Sequence, residues 1–217
     1  NAALPSLVRW GVALDLAYLG VMAQACVEED RPGQADNWSN KFALLLGDYL
    51  FAHALCEAGQ GDAVHGDAIM AALETSCRGS LAQLASAGRI DTTLEEARRQ
   101  MTERITPLFV LPFTIGATVA GAPPTVVSAL ENYGRALGML YACGEELLAF
   151  TDCPVQAMSV LASDLNRHVA GLPLLYAARK TPAAVAAALN SAPPDRTALA
   201  RLVAQHDVQK ALAEELG

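Results

Sequence analysis

Lysine is scarce in this 217-residue sequence. Its only lysines are Lys41, Lys180 and Lys210, and its net charge is −8. Binding a phosphate backbone needs a basic surface, so no nucleic-acid partner is expected. The five cysteines, Cys26, Cys56, Cys77, Cys143 and Cys153, are scattered and form no C-x-x-C pair. Neither a zinc ribbon nor a disulfide framework follows, and reduced cysteines in a cytoplasmic protein are expected. No run of 18 apolar residues occurs. The longest candidate, 108–122, contains Pro112 and is read as a buried helix, so no transmembrane segment is expected. No repeat and no linker rich in Gly, Ser or charge divides the chain, which is read as one domain over 1–217. It begins at Asn1 rather than Met, so a missing N-terminal part is expected.

Apolar helix formers fill the rest. Hydrophobic residues make up 53% and charged residues 18%, enough apolar surface for a sizeable core. Ala and Leu dominate, and the pattern predicts helices near 5–29, 38–58, 62–88, 93–120, 124–150, 154–169, 172–179, 182–190 and 195–215. Thr93 and Glu96 have capping-box spacing. Pro123-Pro124 breaks the chain and can open the next helix, and Asp195 follows Pro193-Pro194 as a cap. The helices at 38–58, 93–120 and 124–150 are apolar on most sides. They are expected at the centre of an all-α bundle, packed all round.

Four stretches then fall in a telling order: ALDLAYLGVMAQACVEEDRPG from Ala13, NKFALLLGDYLFAHAL from Asn40, YGRALGMLYACGEELLAF from Tyr133, and SDLNRHVAGLPLLYA from Ser163. Together they resemble the trans-isoprenyl diphosphate synthase (polyprenyl synthetase) family. Gly47-Asp48 inside an apolar helix and Leu172-Pro173 after an Asp-Leu pair are the most distinctive marks. The resemblance implies an isoprenoid-synthase-type helical bundle around a central cavity. It also implies two D-D-x-x-D motifs that hold Mg²⁺ against an allylic diphosphate. Ionising that diphosphate needs several hard cations, and hard cations need carboxylate oxygens. Acids at i and i+4 of a helix share a face, roughly 5–6 Å apart.

This sequence departs from that pattern at nearly every point. The first motif falls on Ala25, Cys26 and Glu29, with Glu28 and Asp30 beside Glu29. The second falls on Glu145, Glu146 and Ala149. Arg31-Pro32-Gly33 stands where R-R-G is expected, and the following loop is short. Arg104-Ile105 replaces a Lys-Thr pair, and Val169 and Gly171 replace a later Lys and Thr. Gln24 precedes the first motif where His is frequent. Asp48 is read as a packing residue. Glu29, Glu145 and Glu146 are the only weak metal candidates, and Arg31 and Arg104 are the candidate diphosphate contacts. Cys26 and Cys143 fall inside the two motifs; a soft-metal or redox pair is weighed there against small buried cysteines, and the latter is preferred.

Loss at both acidic motifs and at several phosphate-contacting positions points to a non-catalytic or regulatory subunit of a heteromeric prenyl diphosphate synthase in isoprenoid biosynthesis. Its partner would be a catalytic synthase subunit, or a second copy in a dimer, and 38–58 and 93–120 are the interface candidates. Two alternatives stand beside this. One is an active Mg-dependent prenyltransferase using Glu28, Glu29, Glu145 and Glu146 on allylic diphosphates. The other is a module that binds an isoprenoid chain without chemistry. No cofactor is expected outside the enzyme alternative, which requires Mg²⁺.

Overall fold

The computed structural model describes residues 3–27, 37–150 and 162–216. All regular structure among the described residues is helical. The helices are α1 (Ala3–Ala25), α2 (Trp38–Gly59), α3 (Ala63–Leu84), α4 (Leu94–Val119), α5 (Pro124–Leu148), α6 (Ala162–Asn166), α7 (Leu172–Ala178), α8 (Pro182–Leu189), α9 (Arg196–Gln205) and α10 (Val208–Leu216). The punctuation behaves as its chemistry dictates. Thr93 Oγ1 accepts the Glu96 N–H at 3.1 Å and so caps α4. Glu96 does not reach back; its carboxylate instead accepts from Gln100 Nε2 at 3.2 Å. Asp195 caps α9 by accepting the Ala198 N–H at 3.0 Å. Pro124 opens α5.

Two expected helices change. The one placed at 154–169 lies partly outside the described residues, and its described part is the short α6. The one placed at 195–215 is two helices, because Asp207 takes a left-handed conformation (φ 48°) between α9 and α10. Asp pays less than most residues for that conformation.

The chain forms two compact units. The first comprises 1–78 and 102–139, the second 79–101 and 140–217. In the first, α1 and α2 form a helical hairpin whose contact is made by small residues. A Cβ at Gly20 would lie 2.7 Å from the Phe51 ring, and one at Gly47 would lie 2.5 Å from Gln24 Cγ. A Cβ on either glycine would also lie 3.3 Å from the other's carbonyl oxygen, so the two helices approach closely there. Gln24 Nε2 donates to Asp48 Oδ1 at 3.1 Å beside this contact, consistent with a packing role for Asp48. Trp10, Ala13, Ala58, Ile69, Leu111 and Ile115 form the adjacent core. His65 fastens its edge: Nδ1 lies 2.6 Å from Asp62 Oδ2, Nε2 lies 2.9 Å from Thr118 Oγ1, and the ring packs against Trp10.

The expectation that 38–58 is packed all round is corrected by this hairpin. The buried residues of α2 are Ala43, Gly47, Ala54 and Ala58, all on one face. Trp38, Phe42, Leu45 and Tyr49 project from the opposite face into solvent. Apolar residues on both faces had concealed which one was occupied, and the small residues decide it by allowing close approach. Helix α5 likewise leaves Val126, Tyr133 and Leu140 exposed. By length and composition, Leu4–Ala25 and Trp38–Gly59 are also long and apolar enough to cross a membrane. A search for an unbroken apolar run misses them, because isolated polar residues interrupt both.

In the second unit, Leu174, Val185, Leu189, Leu199, Val203, Val208 and Leu212 bury the apolar faces of α7 to α10. His168 (φ 56°) turns the chain ahead of α7. Its Nδ1 lies 2.7 Å from the Leu189 carbonyl, and its own carbonyl accepts the Gly88 N–H at 2.7 Å.

Replacing Gly20 by Leu forces the Phe51 ring away and separates α1 from α2. We expect a loss of about 1–3 kcal/mol in chemical denaturation, with helical content of the folded state retained. An unchanged denaturation midpoint would contradict the close-approach account.

Candidate functional site

The first acidic position lies at the end of α1. Ala25 is the last helical residue and is half-buried. Cys26 follows, is exposed, and donates its thiol to the Met22 carbonyl at 3.3 Å. This corrects the reading of Cys26 as a small buried cysteine; a helix end is open to solvent. Glu28, Glu29 and Arg31 lie outside the described residues.

The second acidic position lies in the last turns of α5. Glu145 is half-buried, while Glu146 is only 7% exposed. Ala149, where a third acid is expected, is 4% exposed, and Ala142 is fully buried. Glu146 Oε2 accepts the N–H of Leu172 at 2.9 Å. That N–H opens α7. The residue before it, Gly171, has extended backbone geometry and carries no capping side chain of its own. The first N–H groups of a helix lack intrahelical partners, and a carboxylate is the strongest acceptor a side chain can offer them. Pro173 at the second position contributes no donor. The α7 cap is therefore supplied from α5.

Gly171 makes this contact accessible. A Cβ there would lie 2.7 Å from Glu146 Cδ and Oε1 and 2.8 Å from Oε2. Val169, where the resemblance expects a lysine, is buried in the core. Val169 and Gly171, which stand where the resemblance places a Lys and a Thr, thus serve packing around α7. This cap was not anticipated from sequence. Its signal is a helix start, Gly171-Leu172-Pro173, with no Ser, Thr, Asp or Asn to cap it.

Cys143, one turn before Glu146, is buried with its Sγ 3.9 Å from Met101 Sδ. Burial pushes its thiol up to about 11, the nearby charge of Glu146 adds to the rise, and Arg98 partly opposes it. A thiol so held is a core residue. Arg104 is buried on α4, and its carbonyl accepts the Ser76 hydroxyl at 2.6 Å. Among the described residues, no group of three or more His, Cys, Asp or Glu side chains is placed to hold a metal ion.

Glu146→Ala leaves the Leu172 N–H without its acceptor and should cost about 1–3 kcal/mol in denaturation. Glu146→Gln, which keeps an acceptor oxygen, should recover part of that. Gly171→Ala should also destabilise, and the Glu146→Ala, Gly171→Ala pair should cost less than the two singles added. Strict additivity would show that the residues do not share one contact. For Cys143, the raised folded value means that its stabilising contribution is complete below the ordinary thiol range near about 8.5. That contribution is lost as pH rises through about 11. Iodoacetamide mapping of the native protein at neutral pH should modify Cys26, Cys56 and Cys77 well before Cys143; equal rates would refute its burial.

Comparison with known proteins follows the same lines. The polyprenyl synthetase family profile matches residues 24–206. Heptaprenyl diphosphate synthase component 2 of Geobacillus stearothermophilus is 31% identical over 173 residues, 76% of this chain and 54% of that protein. A dimethylallyltranstransferase of Mycobacterium tuberculosis is 28% identical over 177 residues, 78% of this chain and 53% of that protein. The chain therefore spans about half the length of these curated relatives. Geranylgeranyl pyrophosphate synthase of Lactobacillus brevis superposes with a TM-score of 0.79 at 24% identity, over 96% of this chain and 68% of that one. Heptaprenyl diphosphate synthase of Staphylococcus aureus gives 0.79 at 21% identity, over 96% and 70%. At those identities the solved structures establish the all-α isoprenoid-synthase fold alone. With the profile covering most of the sequence, the chain belongs to the polyprenyl synthetase family.

Proposed function

We propose that this protein is a non-catalytic or regulatory subunit of a heteromeric prenyl diphosphate synthase in isoprenoid biosynthesis. The observation that carries the reading is the engagement of Glu146 at the start of α7. Mg²⁺ demands near-octahedral oxygen coordination and surrenders its water reluctantly. At the second motif, one carboxylate caps a helix and the third position is the buried methyl of Ala149. That donor set does not fit the group, and we route no chemistry through it. The similarity to proteins named as component 2 of heptaprenyl diphosphate synthase, in Geobacillus stearothermophilus and Bacillus subtilis, supports a multi-subunit assembly. The partner in this reading is a synthase subunit with both aspartate motifs intact, and the assembly is cytoplasmic.

Co-expression with such a synthase should yield a complex that co-purifies and makes prenyl diphosphates of altered chain length. The purified chain alone, given allylic and isopentenyl diphosphates with Mg²⁺, should make none. Product formation by the chain alone would overturn the reading in favour of an active prenyltransferase. Failure to associate with, or change the product of, any such synthase would overturn it outright.

A further inference from the structure

His65 stands where three helices of the first unit meet, as the third residue of α3. Asp62, just ahead of α3, turns both carboxylate oxygens to it. Oδ1 accepts the His65 backbone N–H at 3.0 Å and so caps the helix, and Oδ2 lies 2.6 Å from the ring Nδ1. Nε2 lies 2.9 Å from Thr118 Oγ1, in the last turn of α4. Trp10 of α1 packs on the ring, with centroids 5.2 Å apart. The His65 side chain is 19% exposed, so its nitrogens depend on these partners more than on water.

Proton accounting decides what this joint can do. An ionised carboxylate only accepts, so Nδ1 carries a proton toward Asp62. The hydrogen bond from the His65 backbone N–H, then that from its ring, hold the Asp62 carboxyl below the ordinary carboxylate range; the charge of His65 adds to this and desolvation opposes it. Asp62 therefore stays ionised over the span in which histidines as a class change charge. Nε2 is the atom with two states. Without a proton it needs a donor, and with one it needs an acceptor. Thr118 can be either, because its hydroxyl has two places to send its own proton. In one, it donates to Nε2. In the other, it donates to the Thr114 carbonyl at 2.8 Å or the Ile115 carbonyl at 3.0 Å, and turns a lone pair to the Nε2 proton. His168 shows the contrast: its Nδ1 faces the Leu189 carbonyl at 2.7 Å, and a carbonyl serves a donor alone.

We infer that Asp62, His65 and Thr118 form a proton-tolerant joint, which fastens the start of α3 to the end of α4 whether or not Nε2 carries a proton, because the Thr118 hydroxyl reverses its direction. The surrounding charges leave that hydroxyl in control. Asp62 is the charged group at Nδ1, and His65 is the one charged side chain that acts on its carboxyl. Helix α4 has no charged residue from Pro107 to Val119. On α1, the Arg9 guanidinium is turned to the Gln60 carbonyl, which Nη1 reaches at 2.9 Å, and Asp15 is exposed. On α3, Asp67 is exposed as well. Thr118 is thus a positioning residue for the first unit, and the inference does not rest on the synthase-subunit reading.

Native-state hydrogen exchange reads the joint through the His65 amide, whose acceptor is Asp62. In the wild-type chain its protection factor should agree within about twofold between about pH 5 and about pH 8. Thr118→Val keeps the shape and removes the hydroxyl. Its protection should fall at both values, and by about tenfold or more at about pH 5, because an unsatisfied charged donor costs more than an unsatisfied neutral acceptor. Thr118→Ser, which keeps the hydroxyl, should behave as wild type. Ring-nitrogen NMR of the uncharged His65 should place its proton on Nδ1. Wild-type protection that changes tenfold between the two values overturns the inference. So does a valine variant that matches wild type, a serine variant that matches the valine one, or a proton found on Nε2 of the uncharged ring.

Discussion

The arrangement of the second unit turns on one hydrogen bond, from the Leu172 N–H to the Glu146 carboxylate. The helix that receives it has no cap of its own and begins in a Gly-Leu-Pro sequence that cannot provide one. The carboxylate that provides it is buried, so it requires this donor as much as the donor requires it. Gly171 must lack a side chain for the two to meet. Three residues separated by 26 positions in the chain therefore constrain one another. The core that α7 forms with α8, α9 and α10 is built outward from that start.

A second constraint governs the first unit, and it is steric. Gly20 and Gly47 let α1 and α2 approach so closely that a Cβ on either would crowd the other helix. Close approach of small residues is gained at the expense of transfer energy, because alanine and glycine bury little apolar area. Helix α2 consequently has its large side chains on the face turned away from α1.

Much of the fold was legible in the sequence. Helix formers, prolines at starts and the Thr93 and Asp195 caps sit where their chemistry puts them. Segment order carried the family. Helix α2 was misread because periodicity reports which faces are apolar and cannot tell an occupied apolar face from an open one. The break at Asp207 was missed because a left-handed residue other than glycine leaves only a faint local signal. The departures from the acidic motifs were visible as substitutions. What Glu146 does at the start of α7 was not, because its partner is a backbone N–H far along the chain, and backbone donors have no letter in a sequence.

Helix α2 carries its alanines and glycine inward and its tryptophan, phenylalanine, leucine and tyrosine outward. In a crowded cell, such a face on an unassembled chain is a substrate for chaperones and quality-control proteases. Whatever covers this face removes that exposure, so the lifetime of the chain follows how much of the face is covered.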